Sequence, residues 1–585
     1  MNTFLMNDGR DGGVPSPEVV PDGDAVPSRR GSGFREDVPR LLRNHAGRIG
    51  TYHEHDCVRS GVTLIGIIAA IVILGLLGAA VLMLVSVGSL GSLQALNQGQ
   101  AFFAAESGIS AARNYIKTHP NWTTNSSLTI TGIMGQATFN AGVNSNGVIT
   151  SVGRQAEAQW TSIWKAGESL RALVVYRQNN QNDPRYRTYS SLKRLSDTSM
   201  TGLSVLNEVQ WQKLAASPVT NTFLLGVQED QQGVWAQTYA NGAWGSNTLL
   251  NAAGQAPAED ARGFDIAYEN LSGRGLAVYS IGTANPQYRL WISNQWTSAG
   301  SINVGATNPV QWIRLIAKPG SDEIMCLARW RNTTPKKAND RRNYSSAIVW
   351  NGSGWTNYIP LERGCDSEIA FESMDAAWSS NSALVVYING ATTAEQRRPK
   401  YRIFNTILNS WSAEMTNATQ LSAAPYWIRT EYSADGSQAY ACFLQSGKQL
   451  QGAYWNGSVW GGYTDFGILE TADYRDFDIA WSSQANTLMV VYCLNNASAH
   501  SYMIETEGSS PVYGIIADSN DDGRWSVLQA DPYSSEFYYI ALDAARDVNL
   551  RRWTGAAWIL ISELEAGSDF DYLSIDMAFR RDSAQ

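Results

Sequence analysis

The chain has 585 residues, enough for several domains, and a net charge of −9 that argues against wholesale nucleic-acid binding. Charged residues are only 17%, aromatics reach 11%, and 51 glycines and 21 tryptophans among short apolar runs point to a mostly β architecture. The five cysteines and five histidines show no metal-ligand or disulfide-framework spacing. With no glycine-rich phosphate loop and no Ser-His-Asp set, any catalysis would rest on carboxylates.

Residues 1–61 are hydrophilic and end in a basic stretch with Arg40, Arg43, Arg48 and Arg59. From Val62 to Val87 no residue is charged, a length that spans a bilayer as a helix. The basic side would stay cytoplasmic and the remainder face outward. The apolar periodicity continues through "SLQALNQGQAFFAAESGISAARNYIK", with no proline before Pro120, so residues 62–120 read as one long helix with its anchor at 62–87. Residues 121–165 then alternate in short strands with a turn at "NSNG".

Two motifs in this stretch, "SGVTLIG" and "AFFAAESGISAA", resemble the N-terminus of the type IV pilin superfamily. The resemblance covers about residues 58–155. It implies cleavage by a prepilin peptidase after Gly61, methylation of Val62 as the new N-terminus, and packing of the helix, including Glu106, against other pilins or pseudopilins. It further implies an inner-membrane precursor that moves to an extracellular filament. Two features depart from the family: the leader is long, either removed or kept as a cytoplasmic tail, and Gly66 stands where a glutamate is usual. In the family that carboxylate is thought to meet the N-terminal amine of a neighbouring subunit, so its absence suits a subunit at the filament tip. The plainer alternative is an uncleaved signal anchor.

Residues 166–585 repeat. "FDIAYENLSGRGLAVYS" from Phe264 has counterparts from Met374, Phe477 and Ile575; these are the A type. "VQWQKLAASPVTNTFLLGV" from Val209 has counterparts from Val310, Tyr426 and Arg524; these are the B type. A and B alternate, and each is followed by a second hairpin such as "YANGAW", "WISNQW" or "WNGSGW"; Asn-Gly, where present, predicts a two-residue turn, and outer tryptophans such as Trp350 and Trp355 pair. Two hairpins per unit make a four-stranded blade, which predicts an eight-bladed β-propeller. The last repeat stops after one strand, and the segment from Leu170 lacks a first strand, so the C-terminus should close the ring. The linker joins at the face carrying the turns between strands 1 and 2; the opposite face, with the 2–3 loops, is where ligands are expected.

Several residues stand out. Two neighbouring 2–3 loops carry Lys336, Lys337, Arg341 and Arg342, and Arg397, Arg398, Lys400 and Arg402, a basic patch for a glycan, an acidic polymer or another surface ligand. Asp518, Asn520 and Asp522 before Gly523 have the alternate-oxygen spacing of a Ca2+ loop, though Gln529 at the twelfth position excludes a complete EF-hand. Asp265, Asp375, Asp478 and Asp576 recur at one place in the A type, where the B type has Lys213, Arg314, Arg429 and then Val527, which suggests inter-blade ion pairs. Trp211, Trp312, Trp427 and Trp525 recur beside them as blade packing or as sugar-stacking surfaces. The chain thus reads as a filament-tip subunit displaying a propeller for adhesion or polysaccharide recognition. The alternatives are a surface-displayed propeller glycosidase or lyase, and a secretion-system pseudopilin that primes assembly.

Overall fold

In the computed structural model, the described residues are 74, 76, 77, 93, 94, 96–112 and 115, residues 128–165 apart from 135 and 144–147, and residues 170–580 apart from short segments, the longest of them 333–341. Gly61, Val62, Gly66 and almost all of 62–87 therefore lie outside them. Among the described residues no helix is long and apolar enough to cross a membrane.

Residues 96–112 are helical. Ala101, Ala104, Ala105, Ile109 and Ala112 are buried and recur at helical spacing, which gives the helix one apolar face. That face lies on an antiparallel meander of Leu128–Met134, Ala137–Val143, Val148–Gln155 and Ala158–Lys165. Gly153 permits the close approach: a Cβ there would stand 2.0 Å from the Ala101 carbonyl oxygen. Glu106, expected in filament packing, accepts a hydrogen bond from Ser162 at 2.6 Å.

From Leu170 onward the described residues form eight further antiparallel sheets of four or five strands. Their first strands are Val209–Ala216, Phe264–Tyr268, Val310–Ala317, Met374–Trp378, Pro425–Tyr432, Phe477–Ser482, Trp525–Ala530 and Ile575–Phe579. Each meets the next in that order, and the last meets the first. This is a β-propeller. Ile575–Phe579 pairs with Ala172–Tyr176, so the C-terminal strand supplies the inner strand of the sheet begun at Leu170. Second strands such as Gly275–Tyr279 are buried on both faces because neighbouring sheets stack on them.

The outer tryptophans pair as the sequence predicts: Trp291 with Trp296, Trp350 with Trp355, Trp455 with Trp460 and Trp553 with Trp558. The turns differ from the prediction. At Asn241-Gly242 both residues take positive φ (54° and 83°), which is the expected two-residue turn. Between Trp350 and Trp355, however, the turn has four residues. The Asn351 carboxamide oxygen accepts from the backbone of Ser353 and Gly354, so a local side-chain bond replaces the tight turn.

One aromatic cluster repeats on the outside. At each junction from an A sheet to the following B sheet, a third-strand tyrosine packs on two aromatic residues of the next sheet. Tyr288 with Trp350 and Trp355 is one example, and Tyr401 with Trp455 and Trp460 another.

Candidate functional site: a channel with one closed end

Three B-type inner strands carry a register shift just before their tryptophan, at Val209/Trp211, Val310/Trp312 and Pro425/Trp427. A bulge of this kind re-aims the next side chain. Here all four repeated tryptophans meet one another. Trp211–Trp312, Trp312–Trp427, Trp427–Trp525 and Trp525–Trp211 are edge-to-face at 5.4–5.8 Å, and every ring is at most 2% exposed. The tetrad closes the central channel at the end where the inner strands begin. The tryptophans are thus packing, and their faces are spent on each other.

The next layer is charged. Each A-type aspartate accepts a hydrogen bond from the backbone N–H of the following B strand: Asp265 from Leu315 (2.8 Å), Asp375 from Thr430 (2.8 Å), Asp478 from Leu528 (3.0 Å) and Asp576 from Leu214 (2.7 Å). The four aspartates are inter-sheet staples. Three of them also pair with the cations of the B type: Lys213 with Asp576 at 3.1 Å, Arg314 with Asp375, and Arg429 with Asp478 at 3.9 Å; Asp265 pairs with Arg262 at 3.4 Å.

Three residues before each of these aspartates stand Arg262, Glu372, Arg475 and Leu573. Glu372 faces Arg429 at 2.8 Å, Arg262 at 3.5 Å and Arg314 at 4.0 Å. Burial alone would raise its pKa; the Arg429, Arg314 and Arg262 guanidiniums outweigh burial and hold the carboxyl down at about 2. Arg475 pairs with Asp478 at 2.9 Å. Burial and the nearby Arg429 bring its pKa down to about 10.

Toward the turns between strands 1 and 2 the channel opens. A small cavity of about 80 Å³ among Arg262, Arg429, Arg475 and Asp576 leads to a mouth of about 710 Å³, and Lys213, Arg314 and Glu431 line both. Tyr432, Ser433, Asp435, Trp481 and Tyr533 are on the wall of the mouth. Trp481 is half-buried, and its indole N–H has no hydrogen-bond acceptor among the described residues.

Glu431 is exposed to the water of this mouth, but the channel wall encloses it on its sides. That enclosure, reinforced by Asp375 and Asp478, pushes its carboxyl up to about 8 against the pull of Arg314 and Arg429. The arginines nearest to it are already engaged, Arg314 with Asp375 and Arg429 with Glu372 and Asp478, so their pull does not offset that rise.

The mouth lies on the face opposite the one where the sequence placed ligands. Of the residues the sequence singled out for ligands, Lys336, Lys337 and Arg341 lie outside the described residues, as do Asp518, Asn520 and Asp522. Arg342 begins a third strand. The second basic loop contains one helical turn, Thr393–Gln396, fixed by a Thr392–Glu395 capping box, with Arg397 as its C-cap. Arg398 donates to Gln420 (3.3 Å) and Lys400 to Thr416 (2.9 Å). Arg402 does not join a surface patch. It lies inside the strand Lys400–Asn405 opposite Val385, is 8% exposed, and donates to the Ser412 carbonyl at 2.8 Å.

Glu372, Glu431, Arg262 and Arg475 were not singled out in the sequence. Their signal is a break in the repeat. Four residues after each tetrad tryptophan stand Ala215, Ile316, Glu431 and Gln529, so one strand alone places a carboxylate there.

No protein-family model matches the chain, and no curated protein matches it in sequence. Among solved structures it is similar to the BP39L lectin from Burkholderia pseudomallei, with 12% identity over 60% of this chain and 100% of the lectin (TM-score 0.44). The Dos1 propeller has 10% identity over 63% of this chain and 87% of that one (TM-score 0.39). A leech intramolecular trans-sialidase has 9% identity over 77% and 91% (TM-score 0.31).

Proposed function

We propose that the chain is a glycan-recognising, eight-bladed propeller carried behind a pilin-type N-terminal helix, and that its ligand enters the open mouth of the channel. The observation that carries this reading is the blind funnel itself. Its floor is sealed by the tryptophan tetrad, and its wall sets Trp481 and Tyr432 beside Ser433, Asp435 and Glu431. Aromatic faces with a few convergent hydroxyl and carboxyl groups suit the apolar faces and hydroxyls of a sugar ring. The lectin and the sialidase named above are in keeping with this reading but do not bear its weight.

The test is a glycan array on the full chain, with Trp481→Ala as the comparison. Binding that falls tenfold or more in the variant, with unfolding unchanged, supports the funnel. An array with no hit, with and without calcium, overturns glycan recognition. The same pair of conditions tests Ca2+ at Asp518, Asn520 and Asp522.

The filament-tip role is a separate part of the proposal, supported by the "SGVTLIG" stretch and Gly66. Co-expression with a prepilin peptidase should yield a mature protein that begins at a methylated Val62. Mass spectrometry that finds residues 1–61 still attached would remove it, and an uncleaved anchor would take its place.

One observation favours a second reading, a propeller hydrolase or lyase. A carboxyl group pushed up to about 8 inside a cavity is suited to act as a general acid near neutrality. Glu431→Gln would then abolish turnover of a bound glycan while leaving binding intact.

A further inference from the structure

A second cavity opens on the same face as the channel mouth, at the rim between two successive sheets. It measures about 730 Å³ and is bounded by Thr238, Trp244, Arg289, Trp291, Gln295 and Trp296, with Gly245 and Asn294 at its edges. Trp291 and Trp296 are cross-strand neighbours with centroids 5.2 Å apart. The Trp244 indole N–H has no hydrogen-bond partner among the described residues. Among the described residues, Arg289 is the one charged residue lining the space, and no carboxylate lines it.

The internal repeat shows what belongs beside Arg289. Its counterpart in the next A-type sheet is Arg402, because "QYRLWI" and "KYRIFN" align as third strands. There Tyr387 lies between the arginine and a glutamate: its hydroxyl donates to Glu414 at 2.8 Å and also meets Arg402. Arg402 in addition holds the Ser412 carbonyl. The counterpart in the closing sheet, Arg187, holds Ser562 and the Glu563 carbonyl. Both of these arginines are spent within the protein.

Arg289 keeps the tyrosine, with its Nε donating to Tyr279 at 3.1 Å. The residue aligned with Glu414, three positions after the outer tryptophan, is Ala299. The two terminal nitrogens of Arg289 have no hydrogen bond or ion pair among the described residues. The junction that follows the next B sheet is also closed where this one is open: Trp411 donates to the Asn357 carbonyl at 2.7 Å, and Asn357 bonds Asn409 at 2.6 Å.

We propose that this cavity binds a carboxylated saccharide unit. The carboxylate of the ligand pairs with the terminal nitrogens of Arg289, and its ring lies against Trp291 and Trp296. A planar guanidinium held at one nitrogen and open at the other two is matched to a carboxylate. The tryptophan faces supply the apolar contact for the ring. The proposal rests on the glycan-recognition reading but concerns a different place and a different ligand charge.

Two arms test it on the full chain by calorimetry. Trigalacturonate is compared with its methyl ester, and 3′-sialyllactose with lactose; the first pair reports a uronate, the second a sialate. The acid of at least one pair should bind about tenfold or more tighter than its neutral partner, the worth of one charge-assisted contact. Arg289→Gln should erase that preference. Ala299→Glu, which sets a carboxylate near the Tyr279 hydroxyl as Glu414 stands at Tyr387, should erase it as well. Trp481→Ala at the channel mouth should leave the preference intact, which separates this site from the funnel. Equal binding of acid and neutral forms, or an acid preference that survives both Arg289→Gln and Ala299→Glu, overturns the proposal. A preference lost only in Trp481→Ala assigns acid binding to the funnel and overturns it too.

Discussion

The two ends of the channel are built from the same repeated strands and behave oppositely. At the floor, four tryptophans cover one another, and Glu372 is held by three arginines at a pKa of about 2. At the mouth, only a few residues further along the strand, Glu431 has no cation to itself and is pushed up to about 8. At Glu372 three arginines outweigh burial; at Glu431 enclosure by the channel wall and two aspartates outweigh Arg314 and Arg429. A buried acid with several bases is a structural joint, whereas an acid left over beside water is a chemical handle.

This contrast can be broken most strongly at the floor. Glu372→Ala leaves the buried Arg262 and Arg429 and the partly buried Arg314 short of one carboxylate and should cost about 3–5 kcal/mol, read from urea unfolding. A cost near zero would mean that Asp265, Asp375 and Asp478 suffice for the arginines. Trp312→Ala opens the tetrad and should cost a similar ~3–5 kcal/mol with an unchanged denaturant slope. Asp478→Asn keeps an oxygen for the Leu528 N–H but removes the charge facing Arg475, and should cost about 1–3 kcal/mol.

The pH dependence sharpens the comparison further, since the two glutamates act with opposite sign. An ordinary glutamate titrates at about 4.3 in the unfolded chain. Glu372 is depressed below that value, so its stabilisation is present above pH ~4.3 and is lost as pH falls toward about 2. Glu431 is raised above it, so the folded state holds an extra proton between pH ~4.3 and about 8, and stability falls as pH rises through that window. Glu431→Gln should flatten this slope, measured as the difference in unfolding midpoint from the parent between pH 5 and 8. The parent and the variant running parallel would show that the acid is not held neutral. The smallest effect belongs to the outer rim, where Tyr288→Leu breaks one of the repeated aromatic clusters and should cost about 0.5–1.5 kcal/mol in the same unfolding assay.

Much of this architecture was legible because repeats expose it. The alternation of A and B types, the closing of the Leu170 sheet by Ile575–Phe579, and the pairing of the outer tryptophans follow from strand spacing and from the need to cover sheet edges. The recurrence of Asp375 opposite Arg314 was equally visible as a pattern. That its other oxygen binds the Thr430 backbone was not, because such a bond depends on how two sheets are offset. Arg402 shows the converse error. Its basic neighbours made it look like part of a surface loop, but two further residues into a strand carry a side chain from the rim into the sheet.

By itself the sequence determined the repeat, the strands and the order in which the sheets follow one another, all of which are local or periodic. The repeat also breaks at Glu372, Glu431 and Ala299, positions that reading the sequence did not single out. Tertiary structure decided what those residues do. Ring closure brings side chains from distant strands to one axis, and there the surroundings push Glu372 down and Glu431 up. Ring closure also decides which end of the channel the tryptophans seal, because a bulge one residue upstream turns each of Trp211, Trp312 and Trp427 toward the axis.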